Sequence, residues 1–323
     1  EDSGSAKLTN LSMERGNVQG LFAAGGVLGG STLFGGIQAV KGDGMAAGFT
    51  YSRLSSSASV KGTISGGISG ANVSIDDLIA TYTSTILGAN DSLSGTDFER
   101  GILGNTSPRI VMDRVSNTGS VSNCSVVPLG VNGGLVGLGV ALKITNSTST
   151  GAVSQCADTV NNTVLYGGVM GGLAGGLMNS QIFDSTSSSA VSAVLVPKTE
   201  PNQPQSYGGA AGGMVGAMIN LGSFTDKTMI ARSSSSGNVT IEAGESASGT
   251  LGGMVGLAIG TGTIDSVSAT GNVVRDIKYR RIGDNVLGLP PNVTASGGLI
   301  GTGIGIDVPL ALATSPIPTQ GIN

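Results

Sequence analysis

Two short motifs alternate along the whole chain, and this alternation constrains the fold more than any other feature. The first motif is Gly-Gly-apolar-x-Gly, and it starts at Gly25, Gly66, Gly133, Gly171, Gly212, Gly252 and Gly297. The second motif has a small residue seven positions, and a valine nine positions, after a mostly apolar start. Its starts are Thr9, Tyr51, Met112, Ile144, Ile182, Ile230 and Ile264. Such a repeat predicts one structural unit that stacks on copies of itself.

The composition favours β-structure for this unit. The chain has 56 glycines, no tryptophan and only 3% aromatic residues, so its core cannot rely on aromatic bulk. A hydrophobic content of 39% is nevertheless too high for a disordered chain. Small apolar residues with abundant glycine suit short strands joined by tight corners. We therefore expect an all-β fold, a single β-solenoid (parallel β-helix) of about seven turns with loop insertions.

The valines of the second motif predict the core of this solenoid. If equivalent residues of successive turns stack, these valines form one column with the strand spacing of about 4.8 Å. The predicted core stack is Val18, Val60, Val121, Val153, Val191, Val239 and Val273.

The spacing between motifs predicts where the solenoid is interrupted. We expect the solenoid over residues 1–303, with insertions at about 70–108, 196–205 and 276–291. Residues 71–86, inside the first insertion, form the only stretch with the character of a short helix. Residues 304–323 leave the repeat pattern, so we expect a C-terminal tail that caps the last turn or contacts a neighbouring subunit.

The two cysteines occupy equivalent places in consecutive repeats. Cys124 follows Val121 by three residues, and Cys156 follows Val153 by three residues. Stacked strands would place them about 5 Å apart, within the range that a disulfide tolerates. We therefore predict a Cys124–Cys156 disulfide, which fits an oxidising compartment.

Other features also favour an extracellular or cell-surface protein. The chain opens on Glu-Asp-Ser-Gly-Ser, as expected of a mature end after processing, and no apolar run is long enough to span a membrane as a helix. The chain also contains nine Asn-x-Ser/Thr sequences, which are candidate N-glycosylation sites: Asn10, Asn72, Asn90, Asn105, Asn123, Asn146, Asn161, Asn238 and Asn292. Asn-rich turns beside Ser/Thr-rich strands remain the alternative explanation for these sequences.

The residues that carry chemistry argue against an enzyme. The chain has no histidine, which excludes a Ser-His-Asp triad and histidine metal ligands, and we expect no cofactor and no metal site. The nearest carboxylate pairs are Asp76–Asp77, Asp97–Glu99 and Glu242–Glu245, and we assign each to a solvated loop. The net charge of −4 gives no footprint for nucleic acid.

A regular array of threonine residues on a flat face of a solenoid could bind ice. Segments such as Thr-Asn-Ser-Thr-Ser-Thr and Ser-Ser-Ser-Ser are rich in hydroxyl groups, but counted from the glycine motifs they show no regular Thr-x-Thr ladder. An ice-binding face is therefore not expected from the sequence.

The pairing of Gly-Gly-Leu-Val-Gly with Ile-x6-Gly-x-Val resembles the GLUG motif of repeats in bacterial and eukaryotic surface proteins. The best matches cover residues 133–153, 171–191 and 252–273. The resemblance implies a β-solenoid in a secreted or cell-surface protein, often an adhesive one. It implies no catalytic residues, because the motif residues are glycines and apolar residues of the core.

These observations favour an extracellular structural glycoprotein that self-associates head-to-tail into a filament or surface layer. One alternative is a monomeric cell-surface adhesin or glycan-binding module whose insertions at 70–108 and 276–291 contact a glycan or a cell-surface receptor. A polysaccharide-degrading β-helix enzyme is a further alternative, which would need a carboxylate cluster on one face.

Overall fold

The computed structural model describes residues 6–20, 23–33, 49–74, 110–123, 130–155, 168–195, 209–220, 228–244, 249–279 and 294–313. All regular secondary structure in these ranges is β-strand, and every strand pairing in them is parallel. The strands form three sheets, which contain 19, seven and seven strands. The prediction of an all-β fold built from stacked parallel strands is confirmed.

The first seven-stranded sheet, here called the valine sheet, contains the valines of the second motif. Its strands are β3 (Asn17–Gln19), β8 (Ser59–Lys61), β13 (Val121–Asn123), β18 (Val153–Gln155), β23 (Val191–Leu195), β28 (Val239–Gly244) and β31 (Val273–Tyr279). Each strand pairs in register with the equivalent strand of the next repeat, so all seven motif valines lie in one column from Val18 to Val273.

The second seven-stranded sheet, here called the glycine sheet, ends each of its strands on the first glycine of a Gly-Gly motif. Its strands are β4 (Ala23–Gly25), β9 (Ile64–Gly66), β14 (Val131–Gly133), β19 (Val169–Gly171), β24 (Gly209–Gly212), β29 (Gly249–Gly252) and β32 (Thr294–Gly297). The register aligns these glycines from Gly25 to Gly297.

The 19-stranded sheet contains three parallel rows of strands. The row after the Gly-Gly motif has β5 (Leu28–Leu33), β10 (Ser69–Ser74), β15 (Val136–Val140), β20 (Ala174–Met178) and β25 (Val215–Ile219). The next row has β1 (Ala6–Thr9), β6 (Phe49–Ser52), β11 (Ile110–Asp113), β16 (Leu142–Thr145), β21 (Gln181–Phe183) and β26 (Thr228–Ala231). The third has β2 (Ser12–Met13), β7 (Ser55–Ser56), β12 (Ser116–Asn117), β17 (Thr148–Ser149), β22 (Thr186–Ser187) and β27 (Ser234–Ser235).

Two long strands continue these rows at the C-terminal end. Strand β30 (Val255–Ala269) pairs with β25, β26 and β27, so it contributes to all three rows. Strand β33 (Ile300–Ala313) pairs with β30 along its length and is the last strand of the sheet. We number the repeats 1 to 7 from the second motif to the following Gly-Gly motif, so that β1 to β5 form repeat 1.

The Gly-Gly motif is explained by what faces each glycine. A Cβ on the first glycine, such as Gly171, would overlap the carbonyl oxygen of Ala174 and the backbone of Gly216 in the next repeat. A Cβ on the second glycine, Gly172, would overlap the hydroxyl of buried Ser187 from the second motif. The two motifs are therefore packed against each other inside the stack, and only glycine fits at both positions.

The apolar core consists of columns rather than of one central cluster. Column members in the middle repeats, such as Met112, Ile144, Ile182 and Ile230, are fully buried. Each member is covered by the equivalent residue of the repeats on either side. Stability therefore depends mainly on contacts between neighbouring repeats.

The structure corrects three details of the sequence interpretation. Repeat 1 has one extra residue between Met13 and Asn17, so that Leu8 rather than Thr9 is the partner of Tyr51. Residues 70–74 and 276–279, assigned to insertions, belong to strands β10 and β31. Residues 304–313, assigned to the tail, continue strand β33 within the sheet. The remaining parts of the three insertions and residues 314–323 lie outside the described residues.

Candidate functional site

The exposed apolar side chains lie at the two ends of the stack. Among the described residues, the large hydrophobic side chains that are exposed are Leu11 (44%), Val274 (36%), Ile304 (61%) and Val308 (38%). Leu11 lies in repeat 1, Val274 lies on β31, and the other two lie on β33. No middle repeat has such a side chain within its described part. We refer to the two ends of the stack as the end faces.

The core columns are also less covered at the end faces. Leu8, Met13, Val18 and Leu28 of repeat 1 are half-buried, whereas their partners in repeat 2 are buried. Leu299 and Ile300 are half-buried at the other end. Within the described residues, β1, β3, β4 and β5 pair on one side only, as do β31, β32 and β33.

A column of corner residues joins the second and third rows of the large sheet. Its members adopt positive φ angles of 49–56° and are exposed; they are Asn10, Arg53, Arg114, Asn146, Asp184, Arg232 and Ser266. The left-handed conformation bends the chain between the two rows in each repeat. Asn and Asp tolerate this conformation well, but three arginines also occupy it because the neighbouring repeats fix the backbone on both sides.

Buried serines satisfy the backbone beneath this corner. The hydroxyl of Ser147 donates to the Thr145 carbonyl at 2.7 Å and accepts the amide of Val115 at 3.1 Å. Ser185 repeats this arrangement one repeat later, donating to Phe183 and accepting from the amide of Ser147 at 3.2 Å. Ser233 continues it. These buried hydroxyls form hydrogen bonds with the backbone, so they are not available for catalysis.

The corner column contains charged groups that pair with each other. Arg232 forms two hydrogen bonds of 2.7 Å with Asp184 of the previous repeat. Lys143 and Arg232 both lie 5.4 Å from the centre of the Phe183 ring, a distance that permits cation–π attraction. The hydrogen bond from Arg232 lowers the pKa of the Asp184 carboxyl.

Asp113, which precedes the corner residue Arg114, belongs to a second group of charged residues. Its Oδ1 accepts hydrogen bonds from Asn146 Nδ2 at 2.9 Å and Thr145 Oγ1 at 3.0 Å, and Arg114 lies 2.8 Å from Oδ2. Burial alone would raise the pKa of Asp113, but these hydrogen bonds and the Arg114 charge outweigh it and lower the pKa. A carboxyl held ionised in this way is suited to structural pairing, not to general acid catalysis.

The carboxylate pairs from the sequence do not form a site in the described residues. Glu242 lies on strand β28, whereas Glu245, Asp76, Asp77, Asp97 and Glu99 lie outside the described ranges. The described part of the chain contains no group of three or more Asp, Glu, His or Cys residues that could hold a metal ion.

The candidate glycosylation sites divide into three groups. Asn10, Asn146 and Asn238 are exposed, so their geometry is compatible with a glycan. Asn72 is completely buried and accepts a hydrogen bond from Ser69, so a glycan there is incompatible with this packing, and we remove it from the candidates. For the others the structure gives no side-chain environment: Asn123 ends strand β13, and Asn90, Asn105, Asn161 and Asn292 lie outside the described residues.

Both cysteines lie just outside the described residues. The residues immediately before them, Asn123 and Gln155, are register partners on strands β13 and β18. This register agrees with the alignment from which the disulfide was predicted, and the Cys124–Cys156 pairing stays a prediction.

Comparisons with known proteins do not identify a relative. No protein-family model matches the chain, and no curated protein matches it significantly. The resemblance to GLUG repeats therefore rests on the motif residues alone. Within the described ranges, no α-helix has the length and hydropathy needed to cross a membrane.

Proposed function

We propose that the chain is a β-solenoid of about seven turns that serves as an extracellular structural subunit and self-associates through its end faces. The observation that supports this most strongly is the location of the exposed apolar side chains. Leu11 lies at one end face, and Val274, Ile304 and Val308 lie at the other, while the described middle repeats expose none of this size.

The strand edges at these faces support the same proposal. A strand that pairs on one side presents unpaired N–H and C=O groups, which readily pair with another chain. Charged residues and proline commonly oppose such pairing, and Lys7 on β1 and Asp307 and Pro309 on β33 are of this kind. Leu11 and Ile304 nevertheless leave apolar surface beside the edges. Association would remove this surface from water and extend the stack.

The two end faces differ in shape, which favours head-to-tail contact over contact between identical ends. The second half of β33 pairs with β30 and so adds one more strand to the second and third rows of the large sheet. The valine sheet and the glycine sheet each end at their seventh strand. The C-terminal end face is therefore stepped. A heterologous contact between unlike faces forms open filaments when the rotation does not close.

An extracellular location fits the same proposal. Asn10, Asn146 and Asn238 are exposed acceptor sites, and the register at Asn123 and Gln155 suits a disulfide between the cysteines that follow them. The resemblance to GLUG repeats of surface proteins supports this location independently. The proposal includes no catalytic residue, cofactor or nucleic-acid partner.

The test combines electron microscopy and sedimentation of two single variants, Leu11→Lys and Ile304→Lys. Wild-type protein is expected to form filaments or long oligomers at high concentration. Each variant is expected to remain monomeric, because assembly would have to bury the new lysine charge at one end face. A mixture of the two variants retains one intact face of each kind, so it should form dimers and nothing longer.

Asn146→Arg is the matched control, because arginine occupies the same corner position in three other repeats. It should assemble like wild type. Wild-type protein that stays monomeric at every concentration, or single variants that assemble normally, would contradict the proposal.

A further inference from the structure

Two columns of hydroxyl residues lie on one exposed face of the stack, at the third row of the large sheet. In repeats 2 to 7 every position of both columns is serine or threonine. The first column contains Ser55, Ser116, Thr148, Thr186, Ser234 and Ser268, and the second contains Ser57, Thr118, Thr150, Ser188, Ser236 and Thr270. We call this surface the hydroxyl face.

The backbone holds the two columns in a regular lattice. The amides of Thr118, Thr150 and Ser188 donate to the third-row carbonyls of the preceding repeats at 2.9 Å, and those of Ser236 and Thr270 continue the series. Neighbouring hydroxyl residues are therefore about 4.8 Å apart along each column. Each second-column residue directly follows a third-row strand and lies two residues after the first-column residue, so at the rise of a strand the two columns are about 6.6 Å apart.

The hydroxyl face is free of charge. The next exposed column, in the valine sheet, adds Ser59, Ser120, Ala152, Ala190, Asn238 and Asn272, so the three columns contain only small uncharged residues. The corner column belongs to the same repeats and, like the second hydroxyl column, is exposed at every position, whereas the first hydroxyl column is partly half-buried. The corner column nevertheless contains Arg53, Arg114, Asp184 and Arg232. Exposure alone therefore does not explain the composition of the hydroxyl face.

Most hydroxyl groups of this face are not used to stabilise the fold. Apart from Ser55, which donates to Ser12 at 2.9 Å, and Ser57, which accepts the amide of Arg15 at 3.1 Å, they make no side-chain hydrogen bond to another described residue. This contrasts with Ser147 and Ser185 beneath the corner, whose hydroxyls are buried and bonded. The exposed hydroxyls can each donate to and accept from ordered water.

We propose that the hydroxyl face binds ice. A rigid, uncharged lattice of hydroxyl groups with two regular spacings can hold first-layer water in positions that continue into an ice surface. Each hydroxyl contributes little, but twelve act on the same surface at once, so the combined attachment is strong. Charged groups would disturb this layer because they orient water around themselves.

This proposal reverses the expectation from the sequence. Counted from the glycine motifs, the serines and threonines show no order, because loops of different length separate the motifs. Counted from the apolar start of the second motif, the pattern Ser/Thr-x-Ser/Thr recurs at positions four and six in repeats 2 to 7.

The test measures ice recrystallisation and thermal hysteresis with wild-type protein and two arginine variants. Wild type is expected to inhibit recrystallisation and to shape ice crystals. Thr150→Arg, in the centre of the hydroxyl face, should lose both effects. Ser266→Arg, in the corner column where arginine already occurs, should retain both. Thermal melts of all three proteins establish that they are folded.

Ser188→Thr combined with Ser236→Thr provides a second readout, because the added methyl groups fill the spaces between hydroxyls. This variant should inhibit recrystallisation at lower concentration than wild type. Wild-type protein without any effect on ice, or equal losses in Thr150→Arg and Ser266→Arg, would overturn the proposal. Neither result depends on assembly through the end faces.

Discussion

The middle repeats and the end repeats use the same motifs but differ in how well they are covered. Val153 in repeat 4 is completely buried between Val121 and Val191, whereas Val18 in repeat 1 is half-buried with a described partner on one side only. The difference shows that a repeat does not bury its own apolar residues. Its stability comes from the repeats that lie above and below it.

The same comparison separates fully packed parts of the stack from incompletely covered ones. In the middle repeats, the glycines, the buried serines and the apolar columns are closely packed, so a larger side chain would overlap its neighbours. At the end faces, apolar residues in equivalent columns are only half-buried, because within the described residues a neighbouring repeat covers them on one side alone. Substitutions of one chemical type should therefore have different effects in the two regions.

The largest difference is expected for glycine. In Gly171→Ala the new Cβ would overlap the carbonyl of Ala174 and the backbone of Gly216, neither of which can move without disturbing the next repeat. We expect a loss of at least about 3 kcal/mol in the free energy of unfolding, the upper end of overpacking costs. Urea denaturation followed by circular dichroism measures this loss.

Gly303→Ala is the matched change at the C-terminal end face. Its Cβ would meet only the Ile300 side chain at 3.6 Å, which is an ordinary contact, and Leu177 and Met218 occupy the same column in other repeats. Its unfolding midpoint should equal that of wild type. Equal destabilisation by the two alanines would show that the end repeats are packed as tightly as the middle ones.

An intermediate difference is expected for the apolar columns. Leu135 is completely buried in repeat 3, so Leu135→Ala should cost about 2–5 kcal/mol in the free energy of unfolding. Leu28 is half-buried in repeat 1, so Leu28→Ala should cost clearly less. Native-state hydrogen exchange should place the Leu28→Ala effect in repeat 1 alone; an equal loss throughout the stack would argue against repeat-by-repeat stability.

Much of the stack could be predicted from the sequence because the repeats are in register. The invariant spacing of the second motif is enough to align seven valines, since parallel strands of successive repeats pair equivalent residues. The extra residue between Met13 and Asn17 could not be predicted, because it shifts the start of the first repeat without disturbing its valine. The part of strand β33 beyond residue 303 could not be predicted either, because it lies after the last glycine motif and the repeat pattern does not extend to it.

Less of the candidate sites could be predicted, because burial decides the role of a polar residue. Ser147 and Thr148 are neighbours in a hydroxyl-rich run, yet Ser147 bonds the backbone inside the corner and Thr148 belongs to the hydroxyl face. Asn72 and Asn146 have the same acceptor pattern, but only Asn146 is exposed. Composition does not distinguish these pairs, whereas the place of each residue in the repeat does: Asn146 lies at the exposed corner, and Asn72 lies within strand β10.

The smallest effect is expected for the charges on the surface of the middle repeats. The pKa of Asp113 is lowered in the fold, so its carboxylate contributes stability above its unfolded pKa of about 3.9, and this contribution is lost as the pH falls through the folded pKa. Asp113→Asn should therefore be less stable than wild type at pH 7, by less than about 1 kcal/mol because the pair is partly exposed, and the difference should disappear at an acidic pH below the lowered folded pKa. Urea midpoints at the two pH values measure both quantities, with Asp184→Asn as a second exposed carboxylate for comparison. A difference as large as that of Gly171→Ala, or one that persists in acid, would mean that the corner charges and not the packed columns hold the middle repeats together.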